Sequence, residues 1–394
     1  MITTPEKTKS RSEVLGGFST LIALGFALYS FLIWVTPFVE QNTITTSFPA
    51  LMEGYAAGNP LSLVEYLFFD ISQLTFLFNP LSCFVMIVLS YVAASLEVKN
   101  SRWKGTGVDG NGKIFPVMLT LAITSTLASE LLYGQVFAQF GFIPTLSAFL
   151  FFHHLTMFYG VSSQKTTTIF IVTTLLATPC CLIARLCLVD PLTLPIFFCV
   201  AGGSLLFVPM AHIIFHFMDW MTPRTPEPPP EPVHTPSPNE WFIHQVFGDI
   251  GNLGVNGSSI AAMGLVLFTV IAYCLNPMST GVGAGLFPMT IFAMLVTGAL
   301  TTFLYYPYYG KMPVVSFTGQ LVVLAMVVTY PTSWLIVGLS ILFAAIVPTA
   351  VVGWLLKVVK YQGQYCILPL VLLAVSVVAI PWAMFVQYVL MPLC

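Results

Sequence analysis

Long, unbroken apolar stretches alternate with short polar segments along the chain. At about 20 residues per crossing, eleven stretches predict transmembrane helices: 17–38, 75–97, 114–134, 140–160, 167–188, 191–218, 254–275, 282–307, 313–331, 333–356 and 366–393. Barrel strands would instead alternate in pieces of about ten residues. Two further apolar stretches, 61–74 and 241–253, are too short to cross, and each carries acid and amide side chains. Half-spanning backbone is tolerated at membrane depth only where it is buried in protein or lines a cavity. Both are therefore read as re-entrant half-helices aimed at a pore, with helices lying flat in the interface as the alternative. The segment 222–240, TPRTPEPPPEPVHTPSPNE, is rich in proline and poor in apolar residues. It predicts an extended, solvated linker between two membrane halves.

The two halves read as copies of one unit. Asp70-Ile71-Ser72-Gln73-Leu74 is matched by Asp249-Ile250-Gly251-Asn252-Leu253, and Ile114-Phe115-Pro116 with Leu132-Tyr133 by Leu286-Phe287-Pro288 with Leu304-Tyr305. Pro144, Tyr159, Ser162, Pro179 and Leu194-Pro195 find partners in Pro313, Tyr330, Ser333, Pro348 and Leu368-Pro369, at offsets between 169 and 179. Each copy holds five spans, and an odd number turns the second copy upside down relative to the first. Inverted repeats of this kind are common in transporters, with the substrate path near the midplane between the halves. The predicted class is thus an all-α integral membrane protein of about eleven helices. Its parts are an N-terminal tail, extra helix and loop (1–60), a first pore repeat (61–218), the linker (219–240) and a second, inverted repeat (241–394).

Composition agrees: 57% of the 394 residues are hydrophobic and 7% are charged, against about 25% charged in soluble domains. That excludes a soluble domain, a nucleic-acid binder and a disordered chain. Twelve of the thirteen basic residues fall on one predicted face, the exception being Arg185 inside a span. By the positive-inside rule the N-terminus is expected in the cytoplasm and the C-terminus outside, in a plasma or bacterial inner membrane. The first stretch follows a polar N-terminus and is long enough to cross, so it reads as a retained helix rather than a signal peptide. The eight cysteines lack Cys-x-x-Cys spacing and read as small buried side chains.

The run Gln73-Leu-Thr-Phe76-Leu-Phe-Asn79-Pro80-Leu81-Ser82 resembles the urea transporter family, whose half-units open with a pore helix carrying Gln, then Asn-Pro-Leu-Ser/Thr-Gly. Cys83 stands where the family has Gly. Residues 190–197, with Thr193, Pro195 and Phe197, look like the family's Leu-Pro-x-x-Thr-x-Pro-Phe type signature, with Asp190 and Ile196 as departures. Gly141-Phe142 followed by Leu146 is similar to its Tyr-Gly-Phe-Asn-x-x-Leu segment without the Asn. Motif matches lie in the first half only; the repeat places Asn252 opposite Gln73 and Ile367 opposite Thr193, with Gln245 as a rival for the amide position. The resemblance implies a passive, bidirectional channel for urea or a similar small neutral amide, assembled as a homotrimer in the lipid bilayer. It implies a lining of Gln73, Phe76, Asn79, Phe142 and Thr193 from the first half and Asn252, Phe317 and Ile367 from the second.

The residue types suit such a slot. A flat solute that loses water needs apolar faces above and below it and acceptors in its own plane, roles open to Phe76, Thr193 and Gln73. Asp70 and Asp249 occupy equivalent places, where they either meet substrate N–H groups or cap helices. Arg185 and Asp190 are close enough in sequence to pair. His212 and His216, spaced i, i+4, lack a completing ligand for a metal site, and they are expected to meet water and helix-terminal carbonyls. No phosphate loop, Ser–His–Asp order or zinc-hydrolase motif is present, so neither enzyme activity nor a cofactor is expected. The competing function is a proton- or sodium-coupled secondary transporter using Asp70, Asp249 and Glu130.

Overall fold

The structure, a computed structural model, describes residues 10–72, 77, 79–108, 112–140, 146–194, 198–225, 236–253, 257–308, 316–330, 333–358 and 368–393. It is built of helices, with no strand among the described residues. Eight helices are long and apolar enough to cross a membrane: Arg11–Val39, Pro80–Val98, Phe115–Gly134, Ser163–Leu192, Phe198–His216, Gly285–Tyr308, Trp334–Val358 and Leu373–Leu390. Three more predicted spans coincide with shorter helices, Leu146–Tyr159, Ser259–Leu275 and Phe317–Thr329. Large apolar side chains remain on the outside, such as Trp34 at 64% and Phe217 at 80% exposure. Lipid, not water, is the solvent that makes such a surface favourable.

In chain order the helices are α1 Leu15–Val39, α2 Phe48–Ala56, α3 Pro60–Ser72, α4 Pro80–Val98, α5 Phe115–Phe140, α6 Leu146–Tyr159, α7 Ser163–Ala184, α8 Asp190–Leu192 and α9 Phe198–His216. The second half continues with α10 Pro238–Leu253, α11 Ser259–Leu275, α12 Gly283–Tyr305, α13 Phe317–Thr329, α14 Trp334–Val358 and α15 Leu368–Phe385. The short stretches at 61–74 and 241–253 fall on the helices α3 and α10. Helix α2, read from sequence as loop, forms because Ser47 caps it, accepting from the Ala50 N–H, and Pro49 sits in its first turn. Two ring stacks hold it on α3, Tyr55 on Tyr66 at 4.0 Å and Phe48 on Phe69 at 4.7 Å between centroids.

Helix starts are set by short polar side chains that accept otherwise orphaned N–H groups. Asn79 caps α4, Ser162 caps α7 and Ser258 caps α11, while the Ser333 hydroxyl accepts from the Ile336 N–H at the start of α14. Helix α1 packs on α12, α10 and α11, and its Gly17 N–H donates to Asn239 Oδ1 at 2.8 Å. The extra helix therefore belongs to the second half. A π-helical turn, Arg185–Val189, joins α7 to α8 and presents Arg185 Nε to Asp190 Oδ1 at 3.3 Å. Cys83, Cys180, Cys181 and Cys199 are buried thiols outside any disulfide, while Cys187 is an exposed one.

The halves meet through helices in matching places, α4 on α11 and α9 on α15. Asn79, at the start of α4, donates through Nδ2 to the carbonyl and hydroxyl oxygens of Ser279, just past α11, at 3.3 and 3.1 Å. Conversely, Ser259 at the start of α11 meets Thr106, past α4: its N–H donates to Thr106 Oγ1 at 2.9 Å, and Thr106 Oγ1 donates to the Gly257 carbonyl at 2.7 Å. Each helix start is thus tied to the loop that follows the other helix, which makes α4 and α11 antiparallel.

Candidate functional site

Asp249 on α10 is almost fully buried, and its carboxylate is densely solvated by protein. It accepts from the Ser316 N–H at 2.8 Å, the Ser316 hydroxyl at 2.5 Å, Gln245 Nε2 at 3.1 Å and Asn252 Nδ2 at 3.5 Å. Ser316 immediately precedes α13, so Asp249 supplies that helix with the capping acceptor its own serine does not provide. A charged acceptor there also suits the positive end of the helix dipole. Asn252 is engaged in this knot, and Phe317, buried at 5% exposure, begins the helix it anchors.

In the first half the equivalent acid is Asp70 on α3, fully buried, with Tyr66 four residues earlier where Gln245 precedes Asp249. Here the surroundings differ. Tyr55, Tyr66, Asp70 and Glu130 from α5 lie within electrostatic reach of one another, and both acids are at most 1% exposed. The stacked Tyr55 and Tyr66 rings are what α2 and α3 share beside these carboxyls. Neither tyrosine is marked by a motif in the sequence; the mirrored i, i+4 spacing of Tyr66–Asp70 and Gln245–Asp249 is the signal for one of them.

The other predicted lining residues fall at separate places. Asn79, 1% exposed, joins the two halves as described and also accepts from the Ser82 N–H at 3.1 Å. Thr193 ends α8 in the left-handed region, with φ 50°, and is exposed. Its hydroxyl donates to the Leu192 carbonyl and accepts from Gln387 Nε2, both at 2.8 Å. Gln387 in turn accepts from the Tyr330 hydroxyl at 3.2 Å. Gln73, Phe76, Phe142 and Ile367 lie outside the described residues.

Compared with protein-family models, with curated proteins and with solved structures, the chain matches none. Its chemistry is therefore read from its own contacts. Tyr159 and His212 Nδ1 share a hydrogen bond of 2.7 Å, a partner the sequence did not suggest for His212. His154, 2% exposed, meets the His212 ring at 5.8 Å between centroids, and neither of its own nitrogens has a hydrogen-bond partner. Among the described residues no three of His, Cys, Asp and Glu are placed to hold a metal ion. What the described interior offers instead is two buried carboxylate centres, one saturated by hydrogen bonds on α10 and one beside tyrosine rings, centred on α3.

Proposed function

We propose that this chain is a passive membrane channel for urea or a similar small neutral amide, with eleven crossings, two inverted five-helix copies and a cytoplasmic N-terminus. The observation that carries the transport reading is the exchanged contact between the starts of α4 and α11, Asn79 on Ser279 and Ser259 on Thr106. It is what an inverted two-fold arrangement of two copies would produce. Comparable bonds recur in the two halves. Tyr133 and Tyr305 each donate to a carbonyl of the long helix that follows, Leu175 and Ile346, at 2.6 Å. Tyr159 and Tyr330 each bond a side chain near the end of their half, His212 and Gln387. Inverted copies place substrate paths between the halves, and the amide substrate follows from the motif resemblance around Asn79 and Thr193.

Stopped-flow light scattering on proteoliposomes tests this reading. Urea flux should exceed that of empty liposomes, rise linearly with the gradient and ignore sodium and pH. Thr193→Val should lower flux at equal protein content, because it removes the hydroxyl that the Gln387 amide meets and that the proposed path offers the solute as an acceptor. Absence of urea flux would remove the channel reading. A proton- or sodium-coupled transporter is the second reading, favoured by the burial of Asp70 and Glu130 beside Tyr55 and Tyr66. Accumulation against a gradient when pH or sodium differs across the membrane would establish it in place of the first. Orientation is checked by cysteines placed in the 98–113 loop, which should react only with membrane-permeant reagents.

A further inference from the structure

We propose that the cavity between the α1–α2 connection, α3 and the start of α4 is a binding site for a small organic monocation of the alkylguanidinium or alkylammonium class, held by the Glu65 carboxylate and the Phe68–Phe84 ring pair. The cavity has a volume of about 420 Å³, within the range of small-molecule sites. Its walls are mainly apolar. Glu65 lines it half-buried, accepting from the Thr46 hydroxyl at 3.2 Å. Among the described residues no lysine or arginine pairs with this carboxylate. The chain offers none nearby in sequence either: no basic residue occurs between Arg11 and Lys99, whereas Glu40, Glu53, Glu65 and Asp70 fall in the stretch that builds the cavity. A half-buried negative charge without a counter-charge is a recognition element for a positive ligand.

The remaining lining selects the kind of cation. Phe68 and Phe84 both line the cavity and meet edge to face, with centroids 5.6 Å apart and planes at 85°. Aromatic faces attract ammonium and guanidinium groups and cover an alkyl body equally well. A hard metal ion would need about six oxygen ligands, and a largely apolar wall does not supply them. A second N–H of a guanidinium finds an acceptor in the Thr45 hydroxyl, which is buried without a hydrogen-bond partner. An anion would meet Glu65 uncompensated. This inference goes beyond the transport reading, and binding can be read without any flux.

The test is a calorimetric titration of the detergent-purified full chain with propylguanidine and with propylurea, its uncharged counterpart of nearly the same shape. Propylguanidine should bind saturably and about threefold or more tighter than propylurea, with a preference that shrinks as salt is raised. Glu65→Gln should abolish the preference, and Glu65→Asp should keep it at reduced affinity. Phe84→Leu should weaken propylguanidine more than propylurea. Equal binding of the two probes by the wild-type chain, or a preference that survives in Glu65→Gln, would overturn the assignment, as would the absence of saturable propylguanidine binding.

Discussion

Helix α7 contains Pro179, whose ring nitrogen has no hydrogen to donate to the carbonyl four residues earlier, that of Leu175. The Tyr133 hydroxyl from α5 takes that carbonyl at 2.6 Å. In the second half Tyr305 donates to Ile346 at the same distance, but residue 350 is an alanine with its own N–H. The two bonds should therefore differ in worth. Tyr133→Phe orphans a carbonyl that lipid cannot solvate, a cost of about 1–3 kcal/mol. Tyr305→Phe removes a second donor from a carbonyl with a helical partner available, which should cost about 0.6 kcal/mol, the usual figure for a side-chain hydrogen bond in membrane helices. Replacing Pro179 by Ala restores the missing donor, so in a Pro179→Ala background Tyr133→Phe should fall to the smaller figure. Equilibrium unfolding in mixed micelles with rising SDS, followed by tryptophan fluorescence, gives the free energies for the double-mutant cycle. Equal costs for the two tyrosines, or a Tyr133→Phe cost unchanged by Pro179→Ala, would refute the reasoning.

Three further outcomes can be measured the same way. His154→Leu should leave stability unchanged or raise it by about 1 kcal/mol, because both ring nitrogens are buried without hydrogen-bond partners; a loss above about 2 kcal/mol would mean that the ring is held by something else. Gly203→Val should destabilise by about 1–3 kcal/mol, since a Cβ at Gly203 would lie 2.5 Å from Cys181 Sγ and 2.9 Å from Cys181 Cα. Cys181→Ala should rescue it only in part, because the backbone contact stays. Asp249→Ala should cost more than Ser316→Ala, about 1–3 kcal/mol against less than about 1, because only the first leaves the Ser316 N–H at the start of α13 without its acceptor; the reverse order would place the strength of the knot in the hydroxyl.

Apolar run length was enough to place the helices, because in a bilayer every backbone N–H and C=O must be satisfied within its own segment. The boundaries did not follow: helices α4, α7 and α11 start at 80, 163 and 259 rather than at the expected 75, 167 and 254, because a short polar cap at Asn79, Ser162 and Ser258, not the edge of the apolar run, accepts the first-turn N–H. The pairing of Arg185 with Asp190 was also legible, since it needs only neighbours one turn apart. Helix α2 was not, because a nine-residue helix is too short to persist alone and exists through ring stacks with α3. The partner of Asp249 was equally hidden. Ser316 stands 67 residues away, and no local pattern says which helix start a buried carboxylate will meet. The same holds for the groove at Glu65, whose lone charge is visible in the sequence while its aromatic wall depends on α3 folding against α4. Residue order sets which segments are helical, because that is decided within each segment. Which side chains face one another is decided by packing between segments distant in sequence, and that information resides in the tertiary structure alone.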